Sequence, residues 1–122
     1  MLNLSTVMIS SEDPKGLSAF YTTVLGEPAW DHGGYVGWQA GNGMLMIGPH
    51  SEVKGRNAMP GRLILNFETP DVKGEFERIK GLGVTVQQEP YQPGGGAEDL
   101  WLATFEDSDG NYFQLASPMP TG

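Results

Sequence analysis

The stretch Asp107-Ser108-Asp109-Gly110-Asn111, running into Tyr112-Phe113-Gln114-Leu115, constrains the fold of this chain more than any other. Aspartate, asparagine and glycine reverse a chain tightly, because the first two bond their own backbone and glycine accepts positive φ. The residues that follow alternate as a strand does. An earlier segment carries a second signature: Phe20-Tyr21 through Val24-Leu25-Gly26 is an apolar helical stripe that stops on a glycine.

Around these two landmarks the chain repeats one order of elements. Leu4 to Ile9 reads as a strand. Asp13-Pro14 is a helix start, with aspartate as cap and proline at the first helical position. Leu17, Phe20, Tyr21, Val24 and Leu25 then recur at helical spacing. Ala29-Trp30, Tyr35 to Ala40 and Met44 to Ile47 read as short strands, joined at Gly33-Gly34 and Gly41-Asn42-Gly43. A polar linker of few large apolar residues separates this half, about residues 1–50, from the next; it covers about 51–60. The second half, about 61–118, begins with a strand from Arg62 to Glu68, with Leu63, Leu65 and Phe67 on its core face. Asp71 caps a helix carrying Val72, Phe76 and Ile79, which ends at Gly81 or Gly83. Val84 to Gln87, Leu100 to Phe105 and Tyr112 to Ala116 complete it as strands, with a glycine-rich loop from Gln92 to Ala97. The fold class is therefore α+β, with strand-helix-strand-strand-strand occurring twice within one domain, residues 1–122.

Composition narrows the function classes. The 122 residues include no cysteine, which removes disulfides, thiolate nucleophiles and zinc-thiolate sites. Fifteen acidic against seven basic residues give a net charge of -8. That balance disfavours nucleic acid and anionic membranes as partners and is compatible with a cationic ligand. No apolar run reaches the roughly 18 residues of a membrane span, and no basic-then-apolar leader opens the chain, so a cytoplasmic location is expected.

The layout resembles the vicinal oxygen chelate superfamily of glyoxalase I, the bleomycin resistance proteins and the extradiol dioxygenases. Asp13-Pro14, Phe20-Tyr21, Val24-Leu25-Gly26, Asp71-Val72, Gly81-Leu82-Gly83-Val84 and Asp107-Ser108-Asp109-Gly110-Asn111 carry the resemblance, which spans nearly the whole chain. It implies two βαβββ modules whose cupped mixed sheets enclose a cavity, with modules paired across a homodimer.

Enzymes of this superfamily hold a divalent metal on the cupped face, through His, Glu or Gln near the strand centres, and polarise vicinal oxygens with it. Carried onto this chain, those positions fall on Thr6, near Met46, on Ile64 and on Gln114. Borderline and hard cations want imidazole or carboxylate. Only Gln114 offers a donor of any use, and shifting the register by one residue brings in Ser5, Val7, Leu45, Ile47, Leu63 or Leu65, which are no better. The expectation is a chain with no metal and no cofactor. His32 and His50, the two histidines, read as solvated loop residues, and no Gly-x-Ser-x-Gly nucleophile elbow occurs.

Alternation then assigns a lining to the cup. Thr6 and Met8 face it from the first strand, Met44 and Met46 from the fourth, and Arg62, Ile64, Asn66 and Glu68 from the fifth. Leu102 and Thr104 join from the seventh, and Tyr112, Gln114 and Ala116 from the eighth. Trp30, Tyr35, Trp38 and Trp101 add aromatic area; Tyr35 and Trp38 are able to stack a planar or cationic ligand, whereas Trp101 falls on the core side. The binding set expected is thus Thr6, Met8, Tyr35, Trp38, Met46, Arg62, Ile64, Asn66, Leu102, Thr104, Tyr112 and Gln114. Flexible apolar groups with a few amides and hydroxyls suit a small organic molecule, cationic or aromatic. The expected function is metal-free binding, as by a bleomycin resistance protein. The alternatives are a glyoxalase-like lyase, isomerase or dioxygenase, a metal-independent enzyme working through Glu68 or Tyr112, and a dimer whose cup is filled.

Overall fold

The computed structural model describes residues 1–94 and 99–118. It forms two compact units, Met1–Arg56 and Asn57–Gly122. Both follow the same plan. In the first, β1 (Thr6–Ser10), α1 (Pro14–Leu25), β2 (Trp30–His32), β3 (Tyr35–Ala40) and β4 (Gly43–Gly48) build a sheet of order β1-β4-β3-β2. In the second, a 3-10 turn at Pro60–Arg62 leads to β5 (Leu65–Glu68), α2 (Val72–Gly81), β6 (Thr85–Tyr91), β7 (Leu102–Glu106) and β8 (Tyr112–Ala116), in the order β5-β8-β7-β6. The first strand of each unit pairs in parallel with the last, and the other pairs are antiparallel. Among the described residues no helix is long and apolar enough to cross a membrane.

Each helix begins in the same way. Asp13 Oδ1 accepts from the Gly16 N–H at 3.2 Å, and Asp71 Oδ1 accepts from the Gly74 N–H at 3.0 Å. A capping carboxylate satisfies one of the orphan donors of the first turn. In both helices a side chain at that glycine would run into the cap itself. Asp13-Pro14-Lys15-Gly16 and Asp71-Val72-Lys73-Gly74 are therefore one motif used twice, and they align the helices residue for residue.

Helical spacing selects the core. Leu17, Tyr21 and Val24 of α1 are buried, as are Leu45 and Ile47 of β4. Trp38 joins them at 2% exposure; its indole N–H donates to the Gly26 carbonyl at 2.9 Å, where the helix has ended. Gly26 makes that exit with φ 93° and ψ -167°, a positive-φ extended conformation open only to glycine, rather than the left-handed helical one. In the second unit Phe76, Phe105 and Phe113 stack with centroids 5.2 and 5.4 Å apart, and Phe67 meets Phe113 edge-on. Such ring pairs add about 0.5–1.5 kcal/mol beyond the area they bury.

The acidic turn is a hydrogen-bond knot. The Asp107 carboxylate, 4% exposed, accepts from the N–H groups of Asp109 and Asn111, both at 2.9 Å, and from the Asn111 amide. Asn57 clamps the knot from outside, its N–H donating to the Asp109 carbonyl at 2.8 Å and its side-chain amide to Asn111 Oδ1 at 2.9 Å.

Three expectations need correcting. The strand expected from Arg62 starts at Leu65, because Met59-Pro60 opens a 3-10 turn in which Arg62 N–H bonds back to the Met59 carbonyl. Leu63, expected in the core, is 67% exposed, and Ile64 lies one residue before the strand. The strand expected over Val84 to Gln87 continues to Tyr91, since two register shifts against β7 let it bend and keep pairing. Of the loop expected from Gln92 to Ala97, residues 95–97 lie outside the described residues.

Asp107→Ala strips a buried charged acceptor and leaves its donors without a partner. Hydrogen bonds to charged groups contribute about 1.5–3 kcal/mol each, so a loss of roughly 2–4 kcal/mol is expected. Urea denaturation measures it, and an unchanged midpoint would show that the knot is decorative.

Candidate functional site

Strand pairing fixes which side chains share a face. On the first sheet the cross-strand row Met8, Met46, Gly37, Trp30 lies opposite the helix, and beside it His32 pairs with Tyr35 while Ser10 pairs with Gly48. Val7, Ile9, Leu45, Ile47 and Trp38 alternate to the helix side. Met8, Trp30, His32, Tyr35 and Met46 together line a shallow pocket of about 530 Å³ on the open face, a volume within the usual range for small ligands.

Two glycines shape that pocket. A Cβ on Gly37 would stand 2.7 Å from Trp30 Cε2, and one on Gly48 would collide with the Tyr35 ring. Both glycines are buried although their faces are open. The indole and the phenol therefore lie down on the strands beside them. A side chain at either position would lift its ring off the sheet. Rings laid flat in this way expose their π faces, and methionine sulfurs on the same face adapt to what packs against them.

The second sheet presents a different surface. Its cross-strand row is Asn66, Gln114, Thr104, Gln88. Neither Asn66 nor Gln114 has a side-chain hydrogen bond among the described residues, so both amides are available to a ligand. Leu102 and Ala116 pair in the next row on the same face. Arg62 stands apart from these rows, in a pocket of about 600 Å³ with Tyr112 and the Ala58–Gly61 segment, and its guanidinium lies 3.0 Å from Met59 Sδ.

Most of the expected lining shares the sheet faces turned away from the helices: Thr6, Met8, Tyr35 and Met46 on the first sheet, and Asn66, Leu102, Thr104, Tyr112 and Gln114 on the second, where Thr104 is buried. Trp38 is the correction. It has the opposite parity from Tyr35 on β3, and its indole is spent inside on the Gly26 carbonyl. Trp30 and His32 stand at this pocket although neither belongs to the expected binding set. His32, expected in a solvated loop, ends β2 and stands at the pocket. The glycine opposite Trp30 is the signal that marks it, because a large ring next to a bare strand position has somewhere to lie.

The strand centres do not make a divalent metal site. The paired central positions are Met8 with Met46 and Asn66 with Gln114, that is, thioethers and neutral amides. Zinc, nickel, manganese and iron(II) in oxygen- and nitrogen-donor sites want imidazole or carboxylate. Among the described residues no group of three or more His, Asp or Glu is placed to hold a cation. The donor set therefore does not fit the metal that the superfamily's enzymes use.

Comparisons with known proteins bear on the family and the fold. An uncharacterised protein, YetH, of Bacillus subtilis (strain 168) is 31% identical over 120 residues, covering 92% of this chain and 95% of the relative. A glyoxalase/bleomycin resistance protein/dioxygenase family enzyme from Burkholderia phytofirmans PsJN superposes with a TM-score of 0.74 at 21% identity, covering 97% of this chain and all of that one. Lactoylglutathione lyase from Agrobacterium tumefaciens does so with a TM-score of 0.71 at 21% identity, covering 94% and 92%. At those identities the structures speak for the fold alone. The family model described as a glyoxalase-like domain matches residues 6–116, and with this match the chain belongs to the glyoxalase-like family of the vicinal oxygen chelate superfamily.

Proposed function

We propose that this chain binds a small organic molecule without a metal, and that the ligand is a flat, cationic aromatic seated against Trp30 and Tyr35. One observation carries the reading. On a sheet face where the superfamily resemblance would place a metal, this chain presents aromatic rings laid over Gly37 and Gly48 and flanked by Met8, Met46 and His32. Such a surface recognises shape and π character. The net charge of -8 favours a cation, since a ring face attracts positive charge by about 0.5–2 kcal/mol and long-range attraction raises the encounter rate. Sequestration of this kind, as by a bleomycin resistance protein, needs no catalytic base.

The same reading includes a homodimer, as the resemblance implies. Sedimentation equilibrium is expected to give twice the 13.2 kDa of one chain; a single-chain mass at micromolar concentration would contradict it.

Binding is directly visible in fluorescence. Trp38 is buried and Trp101 lies beneath the Lys73 ammonium at 3.8 Å, so a ligand on the open face reports through Trp30. Titration with proflavine, a planar cation, is expected to quench saturably. Trp30→Ala is expected to weaken its binding about tenfold, the equivalent of roughly 1.4 kcal/mol. Gly37→Val, which displaces the ring without removing it, should weaken binding comparably. Quenching that is absent, or unchanged in both variants, would refute this site.

A further inference from the structure

The capping motif that opens both helices allows them to be compared position by position. Counted from Asp13 and Asp71, Ser18 of α1 stands where α2 carries Phe76. Phe76 is 2% exposed and stacks on Phe105, filling its side of the core. Ser18 fills nothing. Beside it, between α1 and the β2–β3 edge, runs a groove of about 580 Å³. Ser18 is 9% exposed, and its hydroxyl is the buried side-chain polar atom that finds no hydrogen-bond partner among the described residues. Leaving such a group unmet costs about 1–3 kcal/mol, so native chains seldom keep one without a use for it.

The charges around the groove are also unspent. Lys15 lines it, as do Glu27 and Asp31. Among the described residues none of the three forms an ion pair, and the ion pairs that do form lie elsewhere, at Lys54–Glu12 and Arg78–Glu75. The matching lysine of the second unit, Lys73, is occupied over the Trp101 ring; Lys15 has no such ring. The groove thus keeps an ammonium and two carboxylates around one space without letting them meet, above a buried hydroxyl with both its proton and its lone pairs to offer. Val36 and Pro28 give it apolar, stiff walls.

We infer that this groove is a second binding site, separate from the open face, for a small zwitterion. The ligand's ammonium faces Glu27 and Asp31, its anionic group faces Lys15, and Ser18 supplies the buried hydrogen bond. It does not rest on the open-face reading and uses none of that pocket's residues.

The test is a nitrogen–proton correlation titration of the full chain with glycine, 4-aminobutyrate and 6-aminohexanoate, which carry the same two charges at increasing separation. At least one is expected to shift the amides of Ser18, Thr22 and Asp31 saturably, and its N-acetyl derivative, which lacks the ammonium, is not. Ser18→Ala should weaken binding about tenfold while raising the melting temperature of the free protein, because the unmet hydroxyl is gone. The exposed pair Glu27→Gln with Asp31→Asn should weaken it similarly without touching the core. Trp30→Ala should leave it unchanged, which separates this site from the open-face one. Absence of saturable shifts with all three probes, or undiminished binding by both variants, would overturn the proposal.

Discussion

Everything this chain presents to a ligand depends on the parallel pairing of the first and last strand of each unit. That pairing places Met8 beside Met46 and Asn66 beside Gln114. Because side chains alternate along a strand, it also decides which residues face the helix and which face away; a slip of one residue would exchange the two sets. The slip is prevented from the helix side. Leu45 and Ile47 are sealed under α1, and Phe113 and Leu115 lie under α2. Turning these outward would expose four large apolar side chains, each worth about 1.5–3 kcal/mol in burial. The core therefore fixes the character of the opposite face.

On the first sheet that face is soft and aromatic, and the cause is steric. Trp30 and Tyr35 need bare backbone beside them, and Gly37 and Gly48 supply it. On the second sheet the corresponding row is amide and hydroxyl. The family's fold is retained in both, and the paired central positions carry thioether groups in one and amide groups in the other. The fold specifies where a ligand site can be, and the side chains specify the chemistry.

How much of this the sequence discloses depends on which physical signal each residue carries. Asp13 and Asp71 announce helix starts because capping is local, and β3 and β8 have the bounds their alternation indicates. Asp107 to Asn111 is legible because turn chemistry is local too. Trp38 is misread because an aromatic near glycine turns looks like pocket lining; parity with Tyr35 already set it on the other face, and only the Gly26 carbonyl shows where its indole N–H goes. Arg62 is misplaced because Pro60 diverts the chain into a 3-10 turn whose length depends on its surroundings. The places of His32 and Trp30 at the pocket are harder to read for a different reason: they arise from a cross-strand neighbour, Tyr35 or Gly37, and that pairing is not local. The repeated Asp-x-Lys-Gly was visible throughout and gains meaning only when both copies are seen to cap helices.

Binding at the open faces without a divalent ion is checked by the metal content of the protein. Protein purified without chelators is assayed by inductively coupled plasma mass spectrometry, then melted with added Zn, Ni, Mn and Fe(II). Sub-stoichiometric metal and an unmoved melting temperature are expected. A stoichiometric ion, or a rise of several degrees with one of the four, would contradict that expectation and return the chain to the metal-dependent chemistry of its family.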